Sequence, residues 1–547
     1  MPRQAAAALG AAVATARELS GAILIDDGGG SVAAAALAAD GARGTGSPPT
    51  VLSVVSGHRA VGRGTPGDEE QEHTRVIEVD VAEGDTAAAW KPAVAATLAE
   101  GAPVVTVLAG GDAAARAEVL SAVRCGIPVF VLAWSGGLAR QLGEHRQRSH
   151  RPGRTGLPHR SRRDGSPLPT ADRKAGTRGG SEAAAQAQSE EVDEILRHGD
   201  LRVLSEHDPC ALSRRLTWEL QDKPVLKAAW QTFATYDRLA TRLRRAFQRL
   251  QALVLGLGVF ATLLALIDAE IGGGKLHWVV VAVPVAVSVL IAWSSRHARG
   301  PRWIALRAAA EDVKSEIYRH RALEGAAGPA EGSGRMAAER RRRMLKWLGD
   351  IEGRLVRTNA GTAPLTPYHG PLPPPMAGSG CADDGLSPLT AAQYVGIRLR
   401  DQVAYYHSRV RHLHRLRSAL EALAICAGAV GTLLAAVQVD PWIGLTTGVS
   451  TAALAALGYV QADANIMAYN RTAGDLEVLR QSWEARATEE QEASSVVALV
   501  MRTEAVLGRE RARWVHQMSE VLQELKDRQD LAPKKRPAPH DGSGGAP

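Results

Sequence analysis

Three glycine turns carry the chemistry open to this sequence. Gly28, Gly29, Gly30 and Ser31 follow the apolar segment AILID (Ala22–Asp26) after one further aspartate. Gly110, Gly111 and Asp112 follow VVTVL (Val104–Leu108), and Ser135, Gly136 and Gly137 follow PVFVL (Pro128–Leu132). A glycine turn between a strand and a helix lets backbone N–H groups approach a phosphate at the positive end of the helix dipole. Any one of these is also what a plain tight turn looks like. Three of them at the carboxyl ends of parallel strands would line one crevice, the place where open α/β sheets bind ligands. Asp26, Asp27 and Asp112 stand at the same edge, as binders of ribose hydroxyls or as helix caps; for Asp112 capping is the better reading. Cys125, Cys210, Cys381 and Cys426 are the four cysteines, and they show no CxxC or Cys/His spacing. That pattern predicts free thiols in a reducing compartment, with no disulfide framework and no zinc site. No catalytic residue, metal-ligand set or cofactor is assigned.

The elements that must position these turns lie in residues 1–145. Thr50–Ser56 (TVLSVVS) and Val76–Val79 read as further strands, and the runs VVTVL and PVFVL are near-continuously apolar, as strands covered on both faces require. Ala-rich helical stretches lie between them at Ser31–Ala39, Thr86–Ala99 and Ala113–Arg124. This alternation predicts an α/β, Rossmann-like N-terminal domain with a parallel, doubly wound sheet. Residues 146–185 are rich in Arg, Gly, Pro and Ser without an apolar period, and read as a disordered basic insert. The insert lacks the aromatic residues of a single-stranded nucleic-acid surface. Order returns at Glu190–Val203, within a connector over 186–220. The opening MPRQAAAALG has no apolar signal-peptide core, which places the first domain in the cytoplasm.

A chain of 547 residues divides into about three units. Its mean hydropathy of −0.12 conceals four apolar runs. They are Leu250–Ile267, His277–Trp293, Ala419–Val439 and Trp442–Val460. Each approaches the ~20 residues a helix needs to cross a bilayer. Short connections pair them into two hairpins, predicting an all-α membrane region. Trp278, Trp293, Trp442 and Tyr459 mark run ends, where amphipathic rings favour the headgroup layer. Arg242, Arg244, Arg245 and Arg249 precede the first run, and Arg409, Arg411, Arg415 and Arg417 precede the third. By the positive-inside rule both hairpins enter from and return to the cytoplasm, leaving both termini there in a multi-pass cell-membrane protein. These flanks account for much of the net charge of +7 without nucleic acid. A soluble bundle is disfavoured, because helices apolar all round need lipid or a very large core.

The two hairpin regions resemble each other. Ala261–Ala265 reads ATLLA and Gly431–Ala435 reads GTLLA. A charged helix follows each hairpin, with Arg307 four residues before Glu311 in one and Arg471 four residues before Asp475 in the other. The spacing puts each pair on one helix face. A helix–hairpin–helix unit thus occurs twice, over 221–325 and 391–490. A Pro/Gly-rich linker region (326–390) separates the copies, a helical segment (491–530) follows them, and a disordered tail (531–547) ends the chain.

The stretch APVVTVLAGGDAAARAEVLSAVRCGIPVFVLAWSGGLARQL, with ILIDDGGGS before it and EEVDEILRHGDLRV after it, resembles the SLOG domain of the TRPM-associated type over roughly residues 15–205. That resemblance implies a Rossmann-like domain that binds nucleotides or nucleotide-derived signals. Enzymatic relatives carry a PGGxGTxxE signature. Here the segment is AGGDAAARAE: Ala113 and Ala114 replace the Gly-Thr, Ala117 takes the glutamate position, and Glu118 lies one step out of register. One helical step turns a side chain by about 100°, which argues for sensing over hydrolysis. The stretches KAAWQTFATYDRLATRLRRAFQRLQ and RAAAEDVKSEIYRHRA, with the repeat at roughly 394–485, resemble the SLATT family of two-transmembrane effector domains; the second copy matches mainly by layout.

These readings predict a sensor of a nucleotide-derived ligand coupled to a membrane effector, as a pore former in a bacterial conflict or defence system. Its partners are the lipid bilayer, a nucleotide-derived small molecule and further copies of itself, since four helices hardly enclose an aqueous pore; no nucleic acid is expected. Gly28, Gly29, Gly30, Ser31, Gly110, Gly111, Asp112, Ser135, Gly136 and Gly137 are the expected ligand contacts. Two alternatives stay open: a membrane-tethered nucleotide-processing enzyme, and a membrane scaffold with a non-binding SLOG fold.

Overall fold

The computed structural model describes residues 23–26, 50–56, 74–79, 87–149, 178–205, 209–271, 277–296, 299–327, 333–357, 365–375, 383–486 and 492–530. Two compact units, Met1–Pro224 and Val225–Pro547, make up the chain. The first glycine turn, the helix expected over Ser31–Ala39, most of the basic insert and the tail lie outside the described residues.

In the first unit, strands β1 (Ile23–Asp26), β2 (Thr50–Ser56) and β3 (Thr74–Val79) pair in parallel in that order, with Ile23 opposite Thr50 and Val51 opposite Thr74. Helix α1 (Ala87–Leu98) follows, then β4 (Thr106–Ala109), α2 (Ala113–Arg124), β5 (Val129–Leu132), α3 (Gly137–Ser149), α4 (Arg178–His198) and β6 (Leu201–Leu204). A second parallel sheet has the order β4-β5-β6, with Thr106 opposite Val129 and Val129 opposite Leu201. Every residue of β5 is buried, and its alternation serves two faces. Val129 and Val131 join Val119, Leu142 and Ile195 on one side; Phe130 and Leu132 join Leu204, Leu212 and Leu216 on the other. A strand covered on both faces must be apolar throughout, which is why VFVL reads as it does. Helix α2 stops where Gly126 adopts φ +70°, a conformation that glycine adopts at little cost. Helix α5 (Pro209–Thr217) and a π-helical turn (Trp218–Asp222) close this unit.

The second unit is helical. Helix α6 (Lys223–Ile271) has 49 residues, roughly 70 Å at 1.5 Å per residue, more than twice the ~30 Å of bilayer hydrocarbon. It therefore has length for both a span and a polar arm. Helices α7 (His277–Arg296), α8 (Arg299–Ala326) and α9 (Ser333–Arg357) follow. Short α10 (Ala391–Tyr394) opens with a capping box on Thr390 and Gln393 and runs into a π-helical turn (Val395–Arg400). Then come α11 (Asp401–Ala436), α12 (Asp440–Val460), α13 (Ala462–Glu484) and α14 (Ala493–Asp530). Gln461 at φ +46° separates α12 from α13, and the Asn465 side chain donates to the Val460 carbonyl at 2.9 Å.

The region read as a linker between the repeats contains more than a tether. It holds α9, and residues 383–390 dock onto α8. The Arg321 guanidinium, with no exposed surface, donates to Asp383 Oδ2 at 3.0 Å and to the Ser387 carbonyl at 2.8 Å. Trp230 Nε1 donates to the Gly385 carbonyl at 2.8 Å.

Candidate functional site

In the first unit the structure brings the second and third glycine turns together at the carboxyl ends of β4 and β5. Gly110 N donates to Ser135 Oγ at 2.7 Å, and Ser135 Oγ donates to the Leu132 carbonyl at 2.5 Å. Ala139 N donates to the Gly110 carbonyl at 2.8 Å and Leu138 N to the Gly111 carbonyl at 3.1 Å. A Cβ on Gly137 would stand 2.4 Å from the Gly111 oxygen. Glycine is needed there because one backbone lies directly against another. Gly110, Gly111, Gly136 and Gly137 all adopt positive φ, at +74°, +103°, +92° and +52°.

These contacts decide which donors face outward. Asp112 Oδ1 accepts from Ala114 N at 3.0 Å and Ala115 N at 3.1 Å, so this carboxylate caps α2 and places negative charge at its N-terminus. The amides of Leu138 and Ala139, in the first turn of α3, are held by the Gly110–Gly111 carbonyls. A phosphate reaching this edge must therefore use other amides or displace these contacts. Glu118 lies on α2 with its carboxylate 3.1 Å from Lys91 Nζ of α1. Gly28, Gly29, Gly30, Ser31 and Asp27 lie outside the described residues; Asp26 ends β1, paired with Ser53 of β2.

Among the described residues, three helical stretches are long and apolar enough to cross a membrane: Ala211–Asp268, Ala391–Ala436 and Trp442–Glu484. A shorter apolar helix, Trp278–Leu290, lies within α7. Large apolar side chains stand open on them: Trp278 is 80% exposed, Ile425 72%, Leu433 65% and Val289 61%. Side chains this apolar and this open are what a lipid-facing surface presents. Small residues join the hairpins. Thr262 of α6 lies 3.9 Å from where a Cβ would stand on Gly444 or Gly448 of α12, and a Cβ on Gly431 of α11 would lie 2.7 Å from Thr446 Oγ1. Such a small-xxx-small face lets membrane helices approach closely. The repeated TLLA motif is placed equivalently in both copies: Thr262 Oγ1 donates to the Gly258 carbonyl and Thr432 Oγ1 to the Gly428 carbonyl, at 3.2 and 3.0 Å.

Outside the apolar runs the helices enclose charge. Arg398 donates from Nε and Nη2 to the two oxygens of Glu504 at 2.9 and 3.0 Å, and Tyr394 OH donates to Glu504 Oε1 at 3.0 Å. Burial pushes the Glu504 carboxyl up, but Arg398, with hydrogen bonds from Ser315 and Tyr394, outweighs it and holds the group below its ordinary value. Arg307 pairs with Glu311 at 2.5 Å, as its spacing predicts, and also with Asp237 of α6. In the second copy Arg471 and Asp475 are both exposed. The Arg398–Glu504 and Arg321–Asp383 pairs escaped sequence reasoning because their partners are distant in the chain. The available signal was the arginines themselves, set among apolar residues at helical spacing.

Comparison with known families places these regions. Residues 4–162 match the family described as SLOG in TRPM, prokaryote. Residues 394–514 match the SMODS and SLOG-associating 2TM effector domain 1, or SLATT. Residues 232–326, the first hairpin unit, match a separate family described as a protein of unknown function, DUF4231. No curated protein and no solved structure matches the chain.

Proposed function

We infer that this chain, which joins a SLOG region to a SLATT region and carries long apolar helices, has a sensor–effector architecture of the bacterial conflict and defence type and associates with the membrane. Within that frame we propose that the Rossmann-like SLOG domain binds a nucleotide-derived ligand along the edge formed by Gly28–Ser31, Gly110–Asp112 and Ser135–Gly137. Binding there rearranges the hairpins of a homo-oligomer and permeabilises the bilayer, with both termini on the cytoplasmic side. A ligand shifts that equilibrium only by its differential affinity for the two arrangements. The observation that carries the reading is the occurrence of both family matches in one chain with open apolar helices.

The test uses the full chain in detergent, melted against ADP-ribose, NAD and cyclic dinucleotides, then reconstituted in dye-loaded liposomes. Anything binding only the folded state raises the melting temperature. A ligand-dependent rise together with dye release supports a sensor that opens a pore. A rise without release supports sensing without permeabilisation, and appearance of free base supports a nucleotide-processing enzyme. One observation favours a second reading, a membrane scaffold with a non-binding SLOG fold: five amides at the turns, those of Gly110, Ala114, Ala115, Leu138 and Ala139, already serve protein oxygens. That reading expects neither a rise nor release.

A further inference from the structure

The second unit contains a cavity of about 590 Å³ among the polar stretches of α6, α8, α11, α13 and α14. That is the size range of small-molecule sites. Its lining includes Arg244 and Gln248 just before the first apolar run, Arg409 and Leu413 before the third, and Tyr459 at the end of the fourth. The cavity therefore adjoins the ends of the apolar runs, the level at which a bilayer presents its headgroups.

Its charges are unevenly satisfied. Arg398, Arg307 and Arg511 also line it, and each is engaged by a carboxylate: Glu504, Glu311 and Asp312 respectively. Arg244 and Arg409 differ. Among the described residues neither forms an ion pair with a carboxylate. Each guanidinium instead lies against an aromatic ring, Arg244 at 5.7 Å from the centroid of Trp303 and Arg409 at 5.5 Å from that of Tyr405. Arg409 Nε also donates to Tyr405 OH at 3.3 Å. Burial lowers the Arg244 pKa, and the neighbouring charges of Arg409 and Arg307 lower it further. Like charges held together beside a cavity are stabilised by an anion that enters it.

We propose that this cavity is a phosphate-binding site, separate from the SLOG edge, in which Arg244 of α6 and Arg409 of α11 grip one phosphate group. Planar guanidinium forks suit a phosphate better than any other side chain. Two sources share that chemistry: the headgroup of an anionic lipid and a soluble phosphorylated molecule. Either one bridges the arm of the first hairpin to the arm of the second, so occupancy sets how the two repeats are held together.

The test uses the full chain in nanodiscs, melted by tryptophan fluorescence. One arm replaces a share of phosphatidylcholine with phosphatidylglycerol; the other adds inorganic pyrophosphate to discs of phosphatidylcholine alone. A higher melting temperature in the first arm identifies a lipid headgroup, and in the second a soluble phosphate. In either case the Arg244→Gln/Arg409→Gln variant loses the rise, while the exposed Arg411→Gln variant keeps it. Arg409→Lys keeps the charge without the fork and weakens affinity about 10-fold, so that about ten times more pyrophosphate or anionic lipid is needed for the same rise; it serves if the double variant does not fold. No rise in either arm, or an equal rise in the double variant, overturns the site. Neither outcome depends on what the SLOG edge binds.

Discussion

The Arg398 guanidinium meets the Glu504 carboxylate through two parallel hydrogen bonds, at 2.9 and 3.0 Å, with both side chains buried. Arg398 stands at the entrance to the second hairpin and Glu504 on the last helix, so the pair fixes α14 to the membrane repeat. The SLATT match reaches residue 514 and includes both partners. Removing one partner leaves a buried charge uncompensated. Glu504→Ala is therefore expected to cost about 3–5 kcal/mol, read as a large fall in melting temperature of the detergent-solubilised chain. An Arg398→Met/Glu504→Leu double variant should recover most of that loss. If the single variant melts with the wild type, the pair does not hold the bundle.

Glu510 gives a pH dependence. Burial raises its pKa above the ordinary value, against the Tyr406 hydrogen bond and the Arg513 and Arg511 charges, with Glu311 adding to the rise. A carboxyl raised in the folded state contributes stability below its unfolded value of about 4.3, and that contribution is lost as pH rises through the folded value. Glu510→Gln should melt higher than the wild type at neutral pH, and the difference should vanish in acid. A difference independent of pH would show that ionisation of Glu510 is not its cause.

The hairpins should be joinable covalently. Thr262 Oγ1 lies 3.9 Å from a Cβ built on Gly448, so a small shift brings two sulfurs at these positions within bonding reach. In a Cys426→Ser background, Thr262→Cys/Gly448→Cys is expected to form an intrachain disulfide under mild oxidation, visible as a mobility shift that reductant reverses. Only cross-linked dimers, or no product, would mean that α6 and α12 do not meet along this face.

The two interlocked glycine turns differ in tolerance. A Cβ at Gly110 finds only the Ser135 carbonyl oxygen at 3.8 Å, so Gly110→Ala pays chiefly for its positive φ, about 1 kcal/mol. Gly137→Ala drives a Cβ to 2.4 Å from the Gly111 oxygen and must move backbone. It should lower the melting temperature clearly more than Gly110→Ala. Equal effects would mean that the turns do not interlock.

What the sequence made legible follows the range of the interactions involved. Helix α2 is readable to the residue because Asp112 caps it and Gly126 ends it, all within fifteen positions. β2 is readable because Thr50, Val51, Val54 and Val55 favour a strand and the sequence brackets them with Pro48-Pro49 and Gly57. β6 hides in LRVL, too short to separate from the helix before it, and its place beside β5 depends on residues some seventy positions away. The docking of Asp383 on Arg321 inside a Pro/Gly-rich stretch was not readable, since composition there signals only an absence of regular structure. At the candidate ligand edge the glycines were visible, whereas their mutual hydrogen bonding depends on two turns meeting in space.

Each hairpin unit is preceded by a π-helical turn, Trp218–Asp222 before α6 and Val395–Arg400 before α11. Such a turn closes its hydrogen bonds one residue later than an α-turn. It absorbs one extra residue while the helix beyond keeps its register, and with it the lipid-facing stripe. Aligned relatives should therefore differ by single-residue gaps at these two places more readily than anywhere further along the spans, where one inserted residue would swing every following side chain by about 100°.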